Sequence, residues 1–285
     1  MKHGQRVVAV AGIDGCGKSS VIRRFTERWP AARGRALALT CPTYHETPNA
    51  PFARLSERLH RFSRASDVLG SFELKGAALY LQMTLHGPVE RCLLETYRPA
   101  FLLTEHHSLV DTLAYGAIYT AMIRTHADPA LERPLREQLD STAPGSYDEI
   151  AQWAAIHAEH AGMPSSVFEL GLAVARLLAR PRAEVIPELT RHYGTGLPDV
   201  LVVLDLPVPL AIERLRARGD VQGELHEQVP MLEQLRRQYH EVAAYLTREH
   251  STTETIVIDV ASSGSADETL REVMRRAGMV RDAFA

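Results

Sequence analysis

Gly12-Ile13-Asp14-Gly15-Cys16-Gly17-Lys18-Ser19 sets glycines, a lysine and a hydroxyl in the spacing G-x-x-x-x-G-K-[ST]. Glycines at these places let backbone N–H groups close round an anion where a helix begins. Lys18 supplies a charge for the β- and γ-phosphates, and the Ser19 hydroxyl suits Mg²⁺. The expected occupant is a nucleoside polyphosphate with Mg²⁺, held by Gly12, Asp14, Gly15, Cys16, Gly17, Lys18, Ser19 and Ser20. Such a loop needs a strand before it and a helix after it. Residues 5–11 are apolar enough for the strand, and residues 20–25 open the helix. Asp14 lies inside the loop, where it either faces an acceptor (a sugar hydroxyl or a metal-bound water) or steadies the turn.

A second group of reactive side chains follows the apolar run 101–104, which ends in Glu105-His106-His107. A carboxylate there can orient or deprotonate an acceptor, or hold Mg²⁺ through water, so Glu105 is a candidate both for catalysis and for the metal. Protonated His106 and His107 would attract an acceptor anion, while neutral they are ordinary loop polars. Arg214, Arg216 and Arg218 cluster before Gly219. One guanidinium could meet the transferring phosphoryl and another the adenine, an effect worth ~10³ or more in rate for an arginine supplied in cis. Arginines also simply suit a helix C-terminus. Arg218 and then Arg214 are the leading candidates, with Arg54 a further one on the acceptor side. His157 and His160 stand one helical turn apart, but no third ligand is evident and Cys16, Cys41 and Cys92 lack zinc spacing. They read as surface histidines.

The elements that must position these residues follow from hydrophobic pattern. Apolar runs at 35–41, 101–104, 200–205 and 255–259 predict four further strands after the first. Helices are expected at 51–64, over 70–97 with Pro88 breaking or kinking it, at 109–123, 209–218, 228–248 and 267–276. Strands alternating with helices predict a three-layer α/β fold around a parallel sheet, within one domain over 1–285. Residues 124–195, punctuated by prolines, read as a helical insertion. With 285 residues, 45% hydrophobic and 24% charged, the chain has ample core for this. A net charge of −3 gives no electrostatic case for a nucleic-acid or membrane partner. No apolar run approaches the length of a membrane span, and three scattered cysteines suit a reducing cytoplasm.

Several of these stretches together resemble the thymidylate kinases. Residues 12–19 are similar to their G-x-D-G-x-G-K-[ST]; 198–207 (PDVLVVLDLP) to their fourth strand and turn; 211–219 (AIERLRARG) to the helix leading into their lid. Glu227, Val229 and residues 239–243 resemble the helix after the lid, and 258–260 the final strand beside the adenine. The resemblance implies a P-loop kinase fold with sheet order 2-3-1-4-5, a lid near 214–230, and transfer of the γ-phosphoryl of ATP to a small-molecule acceptor, with a homodimer possible. Where that family carries D-R-[YH] followed by S-x-x-A-Y-Q, this chain has Glu105-His106-His107, then Asp111 and Ala114-Tyr115-Gly116. The arginine on its preceding helix corresponds to Gln82 or Met83. Histidine is a weaker, pH-dependent substitute for a planar, permanently charged fork. The related deoxynucleoside kinases use E-R-S here, their glutamate accepting the proton of the 5′-hydroxyl, and Glu105 is similar to that residue. The implied acceptor contacts are thus Asp14, Arg54, Gln82, His106 and Tyr115. Three readings stay open: a kinase for dTMP, a kinase for an unusual nucleoside or other metabolite, and a nucleotide-binding protein without transfer.

Overall fold

In the computed structural model, which describes residues 5–30, 34–217 and 229–279, the five apolar runs become five parallel strands. They are β1 (Arg6–Ala11), β2 (Ala36–Thr40), β3 (Phe101–Glu105), β4 (Val200–Asp205) and β5 (Glu254–Asp259), in the order β2-β3-β1-β4-β5. This is the expected three-layer α/β arrangement. β1 and β4, inside the sheet, are buried almost throughout. β5, on an edge, mixes exposed and buried residues, burying Ile256 and Ile258 while Glu254, Val257 and Asp259 are exposed. Parallel register sets Val10 opposite Glu105 and Asp205 opposite Asp259, so the acidic strand ends line one edge of the sheet.

The chain falls into two compact units among the described residues. The first contains the sheet, drawn from residues up to Thr40, Arg91–Val110 and residues from Leu197 onward. It includes α1 (Lys18–Arg28), α10 (Val208–Ala217), α11 (Val229–Glu249) and α12 (Ala266–Arg276). α1 buries Val21, Ile22 and Phe25, and the Phe25 ring leads through Trp29 to Phe101 of β3. Ion pairs from Arg24 and Arg28 to Asp267 tie α1 to α12.

The second unit, Cys41–Glu90 with Asp111–Gly196, is helical. Its elements are α2 (Ala53–Val68), α3 (Phe72–Met83), α6 (Glu132–Asp140), α7 (Ser146–Ala161), α8 (Val167–Leu178) and α9 (Arg182–Tyr193), with parts of α4 (His86–Tyr97) and α5 (Ser108–Met122). α3 is apolar on nearly every side, so it forms the unit's centre. Gly171 of α8 lies so close to it that a Cβ there would sit 2.1 Å from the Glu73 carbonyl oxygen. Tyr115, Tyr119, Ile123, Leu172 and Ala175 pack round the same helices.

Two expectations are corrected here. Residues 70–97 are two helices, because the chain turns at Thr84 and Leu85; Pro88 does not kink a helix but sits in the first turn of α4, where its missing N–H costs nothing. His157 is not on the surface: its Nε2 lies 2.9 Å from the buried Tyr80 hydroxyl, which also meets His192 Nδ1 at 2.8 Å. Burial, and then His192, lowers the His157 pKa from 6.5 to about 4. No described helix is long and apolar enough to cross a membrane.

Candidate functional site

The phosphate-type loop leaves β1 at Ala11 and enters α1 at Lys18. Its glycines meet separate requirements. Gly12 (φ 140°) and Gly15 (φ 81°) press against backbone: a Cβ on either would lie 2.5 Å from a carbonyl oxygen, that of Leu204 and of Ala211 respectively. Gly17 (φ 104°) faces open space and starts α1 in the left-handed conformation with no side-chain cap. A helix N-terminus beginning this way aims its first amides and the positive end of its dipole at an anion.

The Lys18 ammonium, 5% exposed, donates to Gly12 O at 2.9 Å and Ile13 O at 3.0 Å, and lies 3.3 Å from Asp14 Oδ1. Three donors thus meet three acceptors, which is how a buried ammonium tolerates desolvation. Asp14 serves the loop through this pair. Cys16 is buried beneath, and burial pushes its thiol pKa up, with Lys18 opposing; the group stays a neutral thiol and offers no nucleophile.

Ser19 Oγ donates to Glu105 Oε1 at 2.6 Å, joining the loop to the carboxyl end of β3. Glu105 Oε2 makes no hydrogen bond among the described residues. Beyond Glu105 the ladder continues one step, His106 N donating to Val10 O, and then His106 takes φ 63°. That left-handed turn redirects the chain into α5 through a conformation uncommon outside glycine, which histidine enters more readily than most side chains. His107 is fully buried and its Nδ1 accepts from Leu109 N, so it caps the start of α5 instead of being a loop polar.

Among the expected site residues, the first unit brings together Gly12, Asp14, Gly15, Cys16, Gly17, Lys18, Ser19, Ser20 and Glu105, with His106 following directly. Arg214 and Arg216 are exposed in the last turn of α10. Arg218 and the rest of residues 218–228, the middle of the expected lid, lie outside the described residues. Arg54, Gln82 and Tyr115 belong to the second unit. Arg54 is exposed and pairs with Glu149 at 3.3 Å, which also takes the buried Arg58. Tyr115 packs beside the core round Tyr119. Gln82 is 1% exposed, and among the described residues neither its Nε2 nor its Oε1 has a hydrogen-bond partner. Leaving such a group unsatisfied costs about 1–3 kcal/mol.

One polar cluster in the first unit escaped the sequence reading. Asp205, at the carboxyl end of β4, accepts from Arg236 Nε at 2.7 Å and Nη2 at 2.8 Å, and His240 Nε2 lies 3.0 Å from its Oδ1. The sequence signal was an acid closing an apolar strand and an arginine–histidine pair at i,i+4 on a later helix. Nothing local joins the two.

No family model matches the sequence, and no curated protein matches it. Among solved structures, a deoxyadenosine kinase from M. mycoides, with the products dCMP and a flexible dCDP bound, is similar over 96% of this chain and 100% of its own, at 12% identity and a TM-score of 0.46. A likeness of that strength identifies neither reaction nor substrate.

Proposed function

We propose that this chain is an ATP-dependent phosphotransferase that moves the γ-phosphoryl group of ATP to a nucleoside or nucleotide, with dTMP the first single acceptor to test. The observation that carries the reading is the 2.6 Å bond between Ser19 of the loop and Glu105 of β3. It couples a strand-end acid to the element that suits a polyphosphate. The open Gly17 and the uncapped start of α1 fit an anion. Ser19 Oγ and Glu105 Oε1 are oxygen ligands of the kind Mg²⁺ prefers, and the ion would supply charge neutralisation on the phosphate oxygens. Lys18 gives up its loop carbonyls for the phosphates, and Glu105 Oε2 orients the attacking acceptor oxygen as its bond to phosphorus forms and the bond from phosphorus to the ADP oxygen breaks; where that oxygen is a hydroxyl, Glu105 takes its proton, and a phosphate oxygen attacks already deprotonated.

A second reading, a free hydroxyl acceptor in place of a monophosphate, is favoured by His106 standing where the resembled family has its arginine. A coupled assay of ADP release against a panel of nucleosides and nucleoside monophosphates tests both. dTMP turnover well above every nucleoside supports the first reading; the opposite order supports the second. ATP binding with no acceptor-stimulated turnover overturns the proposal and leaves a nucleotide-binding protein without transfer.

A further inference from the structure

The walls of the phosphate loop are backbone, and both belong to one short segment. Leu204 O stands against Gly12 and Ala211 O against Gly15. Between them Pro207 O accepts from Leu210 N and Ala211 N, opening α10. Residues 204–211 therefore set the shape of the loop at two of its left-handed glycines. Asp205 lies one residue past Leu204; its main-chain oxygen accepts from Val260 N, while its carboxylate turns to α11.

We propose that Asp205, Arg236 and His240 form a clasp by which α11 holds the wall of the phosphate loop, so that Arg236 and Asp205 are positioning residues for the donor nucleotide. Arg236 and His240 are four residues apart and share one face of α11. The two-pronged contact from Nε and Nη2 fixes the plane as well as the distance of the carboxylate. It also cancels a negative charge beside a loop meant for anions. Arg236 is the main cause holding the Asp205 carboxyl below its usual range, with His240 adding to it, and the pair is only partly exposed. Glu233 and Asp259 also favour the guanidinium charge, so the cation is well held where it is.

The clasp rests on the donor-site reading above only for its effect on nucleotide; its hold on the loop can be read without nucleotide. Cys16 is fully buried in that loop, so its alkylation rate, assigned by peptide mass spectrometry in the full chain, reports loop opening separately from Cys41 and Cys92. In R236Q the Cys16 rate is expected to rise at least about tenfold, as loss of a charge-assisted bond implies, while the Cys41 rate stays put. The same variant weakens ATP binding by a similar factor in equilibrium dialysis and raises the KM for ATP but not for acceptor. R236K, which keeps charge without the fork, recovers part of both, and H240Q has the smallest effect. Wild-type Cys16 and ATP behaviour in R236Q overturns the clasp, as does a parallel rise at Cys16 and Cys41, which marks general loosening. Failure of the wild-type chain to bind ATP, with the Cys16 response intact, overturns the donor-site reading and leaves the clasp standing.

Discussion

Lys18 and Gln82 are both buried polar side chains, one in each unit, and they are treated in opposite ways. Lys18 has its donors met by the carbonyls and carboxylate of its own loop. Gln82 sits on an apolar helix with neither amide atom bonded among the described residues. The first arrangement lets a charged loop exist before any ligand arrives, because the ammonium never lacks a partner. The second keeps a standing cost in the protein, of the kind that persists where a ligand later meets the group. The sheet unit is thus self-sufficient at its reactive loop, and the helical unit carries an unmet demand.

The largest expected effect sharpens the first half of that contrast. Lys18→Ala should lower kcat/KM by about 10³-fold, as for loss of a preorganised charge on the transferring group, while circular dichroism melting shifts by only a few degrees. Loss of folding would mean that the lysine is needed for the loop itself. Next comes a prediction on the helical unit. His157 ordinarily titrates near 6.5 but is held at about 4 when folded. An unfolded chain therefore binds a proton in that window which the folded one refuses. Stability contributed by the neutral imidazole is whole above pH 6.5 and is lost as pH falls toward 4, by up to about 3 kcal/mol. Urea midpoints at pH 7.5 and 4.5 measure this, and His157→Gln should flatten the difference.

Gly171→Ala tests the packing of the same unit. With no room before the Glu73 carbonyl, it should cost about 2 kcal/mol, and an unchanged urea midpoint would show that α3 and α8 separate easily. The smallest effect goes to the heart of the comparison. Gln82→Leu should raise stability by about 1 kcal/mol, read as a higher urea midpoint, since it removes unsatisfied groups from an apolar setting. Destabilisation instead would mean that the amide already has partners.

Much of the sheet was legible because each strand is centred on a short apolar run that closes in a polar residue or a turn signal. The stretch 200–205 needs no context to be read so, and neither does the loop at Gly12, whose glycines and lysine are adjacent in sequence. His157 was misread for the opposite reason. Its burial comes from Tyr80, 77 positions away, and its own helix shows exposed neighbours at Ala155 and Ile156. Arg236 was invisible in the same way: an arginine on an amphipathic helix reads as surface until Asp205 is seen beneath it. His107 looked like a loop polar because capping depends on where the chain turns, and the turn at His106 has no glycine to announce it.

The chain holds two tryptophans, and the two units hold one each. Trp29 packs between Phe25 and Phe101, tilted against the first ring and edge-on to the second, and its indole donates to Gly34 O. Trp153 leans on Phe52 and donates to Thr84 Oγ1 among the helices. Intrinsic emission is therefore a sum of two addresses. With W29F and W153F in hand, a single fluorimeter trace follows the melting of either unit alone, and shows whether they come apart at one temperature or at two.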